Sequence, residues 1–144
     1  MILNTGQRTD IPAFFPEWFA NRIKEGFVLV RNPYNPSLVT RYEINPQVVD
    51  AIGFCTKNLE PSFPYMGLVK DFGQFWYLTI TPYEKDIEPG VPDKSEVIEA
   101  FKYLSRAVGA EACCWRYDPI FVDEKYTVDF HLRAFEKMAS ELDK

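Results

Sequence analysis

Four short polar clusters stand at or beside apolar runs of the sequence, and each joins residue types that could do chemistry together. They are Arg8 with Asp10, Lys57 with Thr56 and Asn58, Thr79 with Thr81, and Arg116 with Asp118. Arg8 and Arg116 carry planar forks suited to gripping a carboxylate or phosphate through parallel hydrogen bonds. Lys57 can serve as a point charge or, if stripped of water, as a base. Asp10 and Asp118 can position the arginines or take part in proton transfer. Loops after strands are polar in any protein, and Arg–Asp pairs commonly do no more than fix a loop, so no cluster is diagnostic alone. Their recurrence carries the weight, because together they would gather cations, carboxylates, hydroxyls and amides on one rim. Such a rim suits an anionic small molecule or nucleotide.

The remaining chemistry-bearing residues read more plainly. His131, the one histidine, sits a turn after Val128 and a turn before Phe135, beside an apolar stripe, as a packed or loop-anchoring residue does. Cys55, Cys113 and Cys114 have no CxxC spacing for a zinc or iron–sulfur site and read as small buried thiols. No metal site is expected from these residues. Tyr65, Trp76, Tyr77 and Trp115 lie in apolar patterns that favour core packing over base stacking. The run Glu84-Lys-Asp-Ile-Glu88 reads as a solvated loop. There is no Gly-rich phosphate loop, nucleophile elbow or HExxH motif.

The elements that would position the clusters follow from periodicity and punctuation. Strands are expected at Ile2–Gly6, Val48–Phe54, Phe75–Thr81 and Ala112–Tyr117. Helices are expected at 16–25, with Pro16 at its start and Gly26 past its end, at 93–108 with Asp93 as cap, and at 127–142 with Thr127 as cap. A short helix is expected at 62–72. Phe27–Val30 and Leu38–Ile44 flank the turn-rich Asn32-Pro-Tyr-Asn-Pro36 and suggest a hairpin. With the hairpin set aside, strand and helix alternate four times, the order of parallel strands with right-handed crossovers. In that architecture ligands bind at the carboxyl ends of strands, where all four clusters lie. A complete (β/α)8 barrel takes roughly 250 residues, and 144 residues make about half of one. The expected fold is therefore α/β: a single domain over 1–144, either a half (β/α)-barrel or an open, mostly parallel sheet of four βα units with an inserted β-hairpin.

Composition narrows the classes further. The net charge of −5 divides unevenly, with six basic and five acidic residues in 1–57 against ten and sixteen in 58–144. An acidic balance argues against duplex nucleic acid, which needs a basic face. No apolar run approaches a membrane span, and the first residues lack the pattern of a signal peptide, so a cytoplasmic protein is expected.

Six ordered segments then carry a resemblance: Arg8-Thr-Asp-Ile-Pro-Ala13, Val28-Leu-Val-Arg-Asn-Pro33, Thr56-Lys-Asn58, Thr79-Ile-Thr-Pro-Tyr83, Trp115-Arg-Tyr-Asp-Pro-Ile120 and Asp129-Phe-His-Leu132. They resemble the N-terminal half of a largely bacterial family, domain of unknown function 1848. The resemblance implies relatives about twice this length, whose C-terminal part carries a cysteine cluster like that of radical S-adenosylmethionine enzymes. A 4Fe-4S cluster and S-adenosylmethionine are then expected only in a full-length relative and no cofactor in this chain, which would not perform radical chemistry alone. The family's recurring motifs fall on Arg8, Asp10, Lys57, Asn58, Arg116 and Asp118. The leading expectation is the substrate-side half of a radical-SAM-like barrel enzyme, holding an anion at its rim and completed by a missing C-terminal half. The competing expectation is a non-catalytic module that dimerises or pairs through its open sheet edge.

Overall fold

In the computed structural model, which describes residues 1–143, the strand–helix alternation builds one four-stranded parallel sheet. Its order is β1 (Ile2–Asn4), β4 (Ala51–Thr56), β5 (Gly73–Thr79) and β6 (Cys113–Arg116). The other two strands, β2 (Phe27–Arg31) and β3 (Val39–Glu43), pair antiparallel as a separate ribbon, the expected hairpin. Each sheet strand lies beside its successor in the sheet, so right-handed crossovers stack their connections on one face.

Side-chain alternation shows that face. Ile52, Phe54, Trp76 and Leu78 point into the core, where Val97, Phe101 and Leu104 of α3 (Lys94–Val108) and Met138 of α4 (Val128–Leu142) join the same buried cluster. Phe54 and Trp76, register partners on adjacent strands, stack with centroids 3.8 Å apart. The opposite face carries Ala51, Gly53, Cys55, Phe75, Tyr77 and Cys114, and it is largely open: Tyr77 is 40% exposed and Cys114 is exposed. Phe75 lies across Gly53, where an added Cβ would stand 3.1 Å from its ring. The thiols are therefore not all the buried groups expected, and Tyr77 is not a core residue.

The helix boundaries follow their caps. Asp10 caps the short α1 (Ile11–Phe14) by accepting from the Ala13 N–H at 3.0 Å. Pro16 opens α2 (Pro16–Glu25), and Gly26 ends it in the left-handed region at φ 76°. The Glu96 carboxylate accepts the Asp93 N–H at 3.2 Å before α3, and Thr127 caps α4 through the Phe130 N–H. All four sheet strands shift their limits from expectation, β6 by a single residue at each end and β4 ending two residues late. Val48 and Val49 turn on the Asn45 carbonyl, so β4 starts at Ala51. β5 begins and ends two residues early, and Asn4 ends β1 short. The segment expected to be a short helix is a 3-10 stretch, Glu60–Val69, with Pro64 inside it removing a hydrogen bond an α-helix would need. Among the described residues no helix is long and apolar enough to cross a membrane.

The loop between β6 and α4 contains a cis Asp118–Pro119 peptide and is pinned by buried rings. Tyr83 donates its hydroxyl to the Pro119 carbonyl at 2.9 Å and accepts the Phe121 N–H at 3.0 Å. His131 bridges the same loop, with Nε2 2.9 Å from the Phe121 carbonyl and Nδ1 2.8 Å from the Tyr117 hydroxyl. A carbonyl only accepts, so Nε2 carries the proton and Nδ1 accepts from Tyr117. His131 is thus the loop anchor its position suggested. Burial foremost, and then the neighbouring Tyr83, push the Tyr117 phenol up to about 12, which keeps it a donor. Replacing His131 by Leu leaves the Phe121 carbonyl without its partner and Tyr117 with only the 3.5 Å contact to the residue-131 carbonyl. The expected cost is about 2–3 kcal/mol, read as a lower urea midpoint with an unchanged slope.

Candidate functional site

The carboxyl ends of β4, β5 and β6 bring their polar residues together in register. Thr56 pairs with Leu78 and Thr79 with Arg116, so one further residue along β4 sets Lys57 beside Thr79 and Arg116 in a row across three strands. At about 4.8 Å per strand, the backbones of Lys57 and Arg116 stand roughly 10 Å apart. The row continues the alternation of Cys55, Tyr77 and Cys114 and so belongs to the open face.

Lys57 is held by a residue that sequence reasoning missed. The Glu88 side chain is only 8% exposed and accepts from three donors: the Lys57 ammonium, the Lys94 ammonium at 2.5 Å, and the buried Thr81 hydroxyl at 2.8 Å. Burial by itself would push the Glu88 carboxyl up, but the hydrogen bonds from Lys57, Lys94 and Thr81 prevail and hold it below the ordinary glutamate range. Two ammonium groups against one carboxylate leave one positive charge in the cluster. Glu88 and Lys94 also form part of the wall of a 540 Å³ cleft shared with Glu84, Asp86 and Lys125. Lys125 bridges Glu84 at 3.0 Å and Asp86 at 2.9 Å, and hydrogen bonds from Lys125 and then Tyr126 hold Asp86 below the usual carboxylate range. The segment expected to be a solvated loop is therefore a strap cross-linked by ion pairs. The only sequence signal for it was a carboxylate at each end of a run containing its own lysine.

Arg116 is oriented by Thr79, whose hydroxyl accepts from its Nε at 3.1 Å. Asp118 stands 4.0 Å from the same nitrogen and is well exposed, a contact that neutralises little. Among the described residues the terminal guanidinium nitrogens of Arg116 have no hydrogen-bond partner.

The other expected site residues are structural or lie elsewhere. Asp10 accepts from the Thr56 hydroxyl at 2.9 Å and the Lys57 N–H at 3.0 Å while capping α1, so it ties the β1–α1 loop to the end of β4. The Asn58 N–H donates to Thr56 Oγ1 at 3.0 Å, and the Asn58 side chain accepts the Glu60 N–H at 3.3 Å, the contacts of a turn. Arg8 leaves the row. Asn4 Oδ1 accepts the Gly6 N–H at 2.8 Å, a turn that ends β1, and the Arg8 guanidinium reaches the Arg31 carbonyl at 3.4 Å beside the ribbon. The four clusters thus divide into a row of Lys57, Thr79, Thr81, Arg116 and Asp118, a loop anchor of Asp10 and Asn58, and a separate Arg8.

The cysteines do not fit an iron–sulfur cluster. Cys113 and Cys114 are adjacent on β6 and face opposite sides of the sheet, and Tyr77 stands between Cys55 and Cys114 in register. Among the described residues no three His, Cys, Asp or Glu side chains group as metal ligands.

Removing the charge of Glu88 tests the cluster. Glu88→Gln leaves Lys57 and Lys94 facing each other and is expected to cost about 2–3 kcal/mol at neutral pH, measured by urea unfolding. The folded carboxyl is depressed, so its contribution is complete above the ordinary glutamate value of 4.5 and is lost as pH falls through the lower folded value. The variant should therefore lose less stability than the parent as pH falls below 4.5.

Comparison with known proteins adds one match. A family model described as Domain of unknown function (DUF1848) matches residues 2–144. No curated protein and no solved structure matches the chain.

Proposed function

The chain belongs to that family of unknown function, and from this premise we propose that it binds an anionic small molecule or nucleotide at the carboxyl ends of β4–β6. The observation that carries this reading is the Thr79-oriented fork of Arg116, whose terminal nitrogens have no partner among the described residues, in register with Lys57 at the strand ends. Arg116 would grip the anion and Lys57 would supply a second charge from the neighbouring strand. Glu88 and Thr81 would position Lys57 rather than touch the ligand. In the fuller form of the proposal, the sheet is the substrate-side wall of a barrel-type, radical-SAM-like enzyme. Its iron–sulfur chemistry would come from outside these residues, whose thiols do not converge.

Titration calorimetry with inorganic phosphate, pyrophosphate and dicarboxylates tests the site. Arg116→Ala should weaken every anion that binds by about ten-fold or more, while the exposed control Arg133→Ala should leave affinity unchanged. Equal affinity in the Arg116 variant and the parent overturns the assignment.

A second reading rests on the sheet's free edges. β1 and β6 each have a single neighbour, and Ile2, Ile120 and Val122 are more than half exposed. An exposed edge and face invite pairing with another chain. Light scattering decides it: a stable dimer whose mass falls to a monomer's on introducing Ile2→Lys supports pairing through β1, and a monomeric parent protein removes it.

A further inference from the structure

A second site lies apart from the strand-end row, where α2 and the ribbon strand β2 close over the end of β1. It is a 440 Å³ groove with Trp18, Phe19 and Leu29 among its walls and Arg8, Arg22 and Arg31 around it. That volume is in the range of small-molecule sites. Three of the chain's seven arginines meet here, and none of the groove's lining residues is an aspartate or glutamate. Among the described residues none of the three forms an ion pair. This happens in a protein with 21 acidic residues against 16 basic ones, where partners are in excess.

The individual contacts sharpen the point. Arg22, in the last turn of α2, leans over the Phe27 ring at 5.7 Å, yet its Nε is buried with no hydrogen-bond partner. A buried donor left unpaired costs free energy that a bound acceptor would recover. Arg8 donates only a long 3.4 Å hydrogen bond to the Arg31 backbone carbonyl, which sets the Arg8 fork beside the β2 residue whose own exposed arginine also lines the groove. Like charges held together without an acid are repulsive until an anion sits between them. Trp18 and Leu29 remain 46% and 58% exposed beside them, apolar surface without a cover.

We infer that this groove binds a small organic anion, an apolar body carrying a carboxylate or phosphate. The body lies against Trp18, Phe19 and Leu29, and the anionic group meets Arg8 and Arg31 at the lip with Arg22 behind. The inference does not depend on the strand-end site, since it uses none of that site's retained residues.

Naphthoate and naphthyl phosphate are suitable probes, read by calorimetry and by tryptophan emission, with uncharged naphthol and inorganic phosphate as controls for the two halves of the ligand. At least one charged naphthalene should bind ten-fold or more tightly than naphthol and than inorganic phosphate. Arg8→Ala and Arg31→Ala, both at exposed positions, should each weaken it ten-fold or more, and Trp18→Ala should weaken it and alter the emission change. Arg116→Ala should leave it unchanged. Failure of both charged probes to bind, equal binding of naphthol, or indifference to Arg8→Ala and Arg31→Ala overturns the inference. Loss of binding in the Arg116 variant alone assigns the probe to the strand ends and overturns it as well.

Discussion

The constraint on which the rest depends is the one-sided burial of the parallel sheet. Strands β1, β4, β5 and β6 succeed one another in space as they do in the chain, so their connections accumulate on one face. The stack of Phe54 on Trp76, with Phe19 of α2 edge-on against Phe54, is what that face buries. The row of Lys57, Thr79 and Arg116 consequently falls on the other side, beyond small residues such as Gly53 and Cys55, while Thr56 stays buried on the core side. A doubly covered sheet of the same strands would have to bury Tyr77 and Arg116. Here they are exposed, and a ligand can reach the row that follows them.

Charge is distributed on the same plan. Carboxylates are abundant, but they are committed to structure: Glu88 to two lysines and Thr81, Asp10 to a helix cap and the end of β4, Glu84 and Asp86 to Lys125. Among the described residues Arg8, Arg22 and Arg31, which meet around the groove, are left without acids. Glu88 has a further consequence. By taking two ammonium groups and the Thr81 hydroxyl, this single buried carboxylate fixes Lys57 at the sheet end.

Much of this architecture was legible in the sequence because it depends on local signals. Pro16, Gly26, Asp93 and Thr127 marked the helix ends, and the alternation of strand and helix foretold a parallel sheet. What was not legible depends on contacts distant in sequence. The roles of Thr79 and Arg116 follow from a register that joins β5 to β6, and the strap from Glu84 to Glu88 acquires its meaning only from Lys57, Lys94 and Lys125. The apolar pattern around it also led Tyr77 to be read as core, since an apolar run cannot say that one of its two faces will lie open.

Arg8 shows how a single local turn can overrule a pattern. On register alone, two residues past Gly6 would reach the level of Lys57, and Arg8 would stand in the row. Gly6, however, packs so closely on Cys55 that a Cβ there would lie 2.5 Å from the cysteine's own, and the Asn4 side chain bends the chain at that point. β1 therefore stops after three residues, and the following segment crosses toward the ribbon instead of extending along the sheet. Asp10 returns to the sheet end, where it grips Thr56 and the Lys57 backbone, so the excursion is closed at both ends and Arg8 is held at its outermost part. The same few residues thus strip one cation from the strand-end row and deliver it to the groove beneath Trp18, which is why two arginine-bearing surfaces exist where the sequence suggested one.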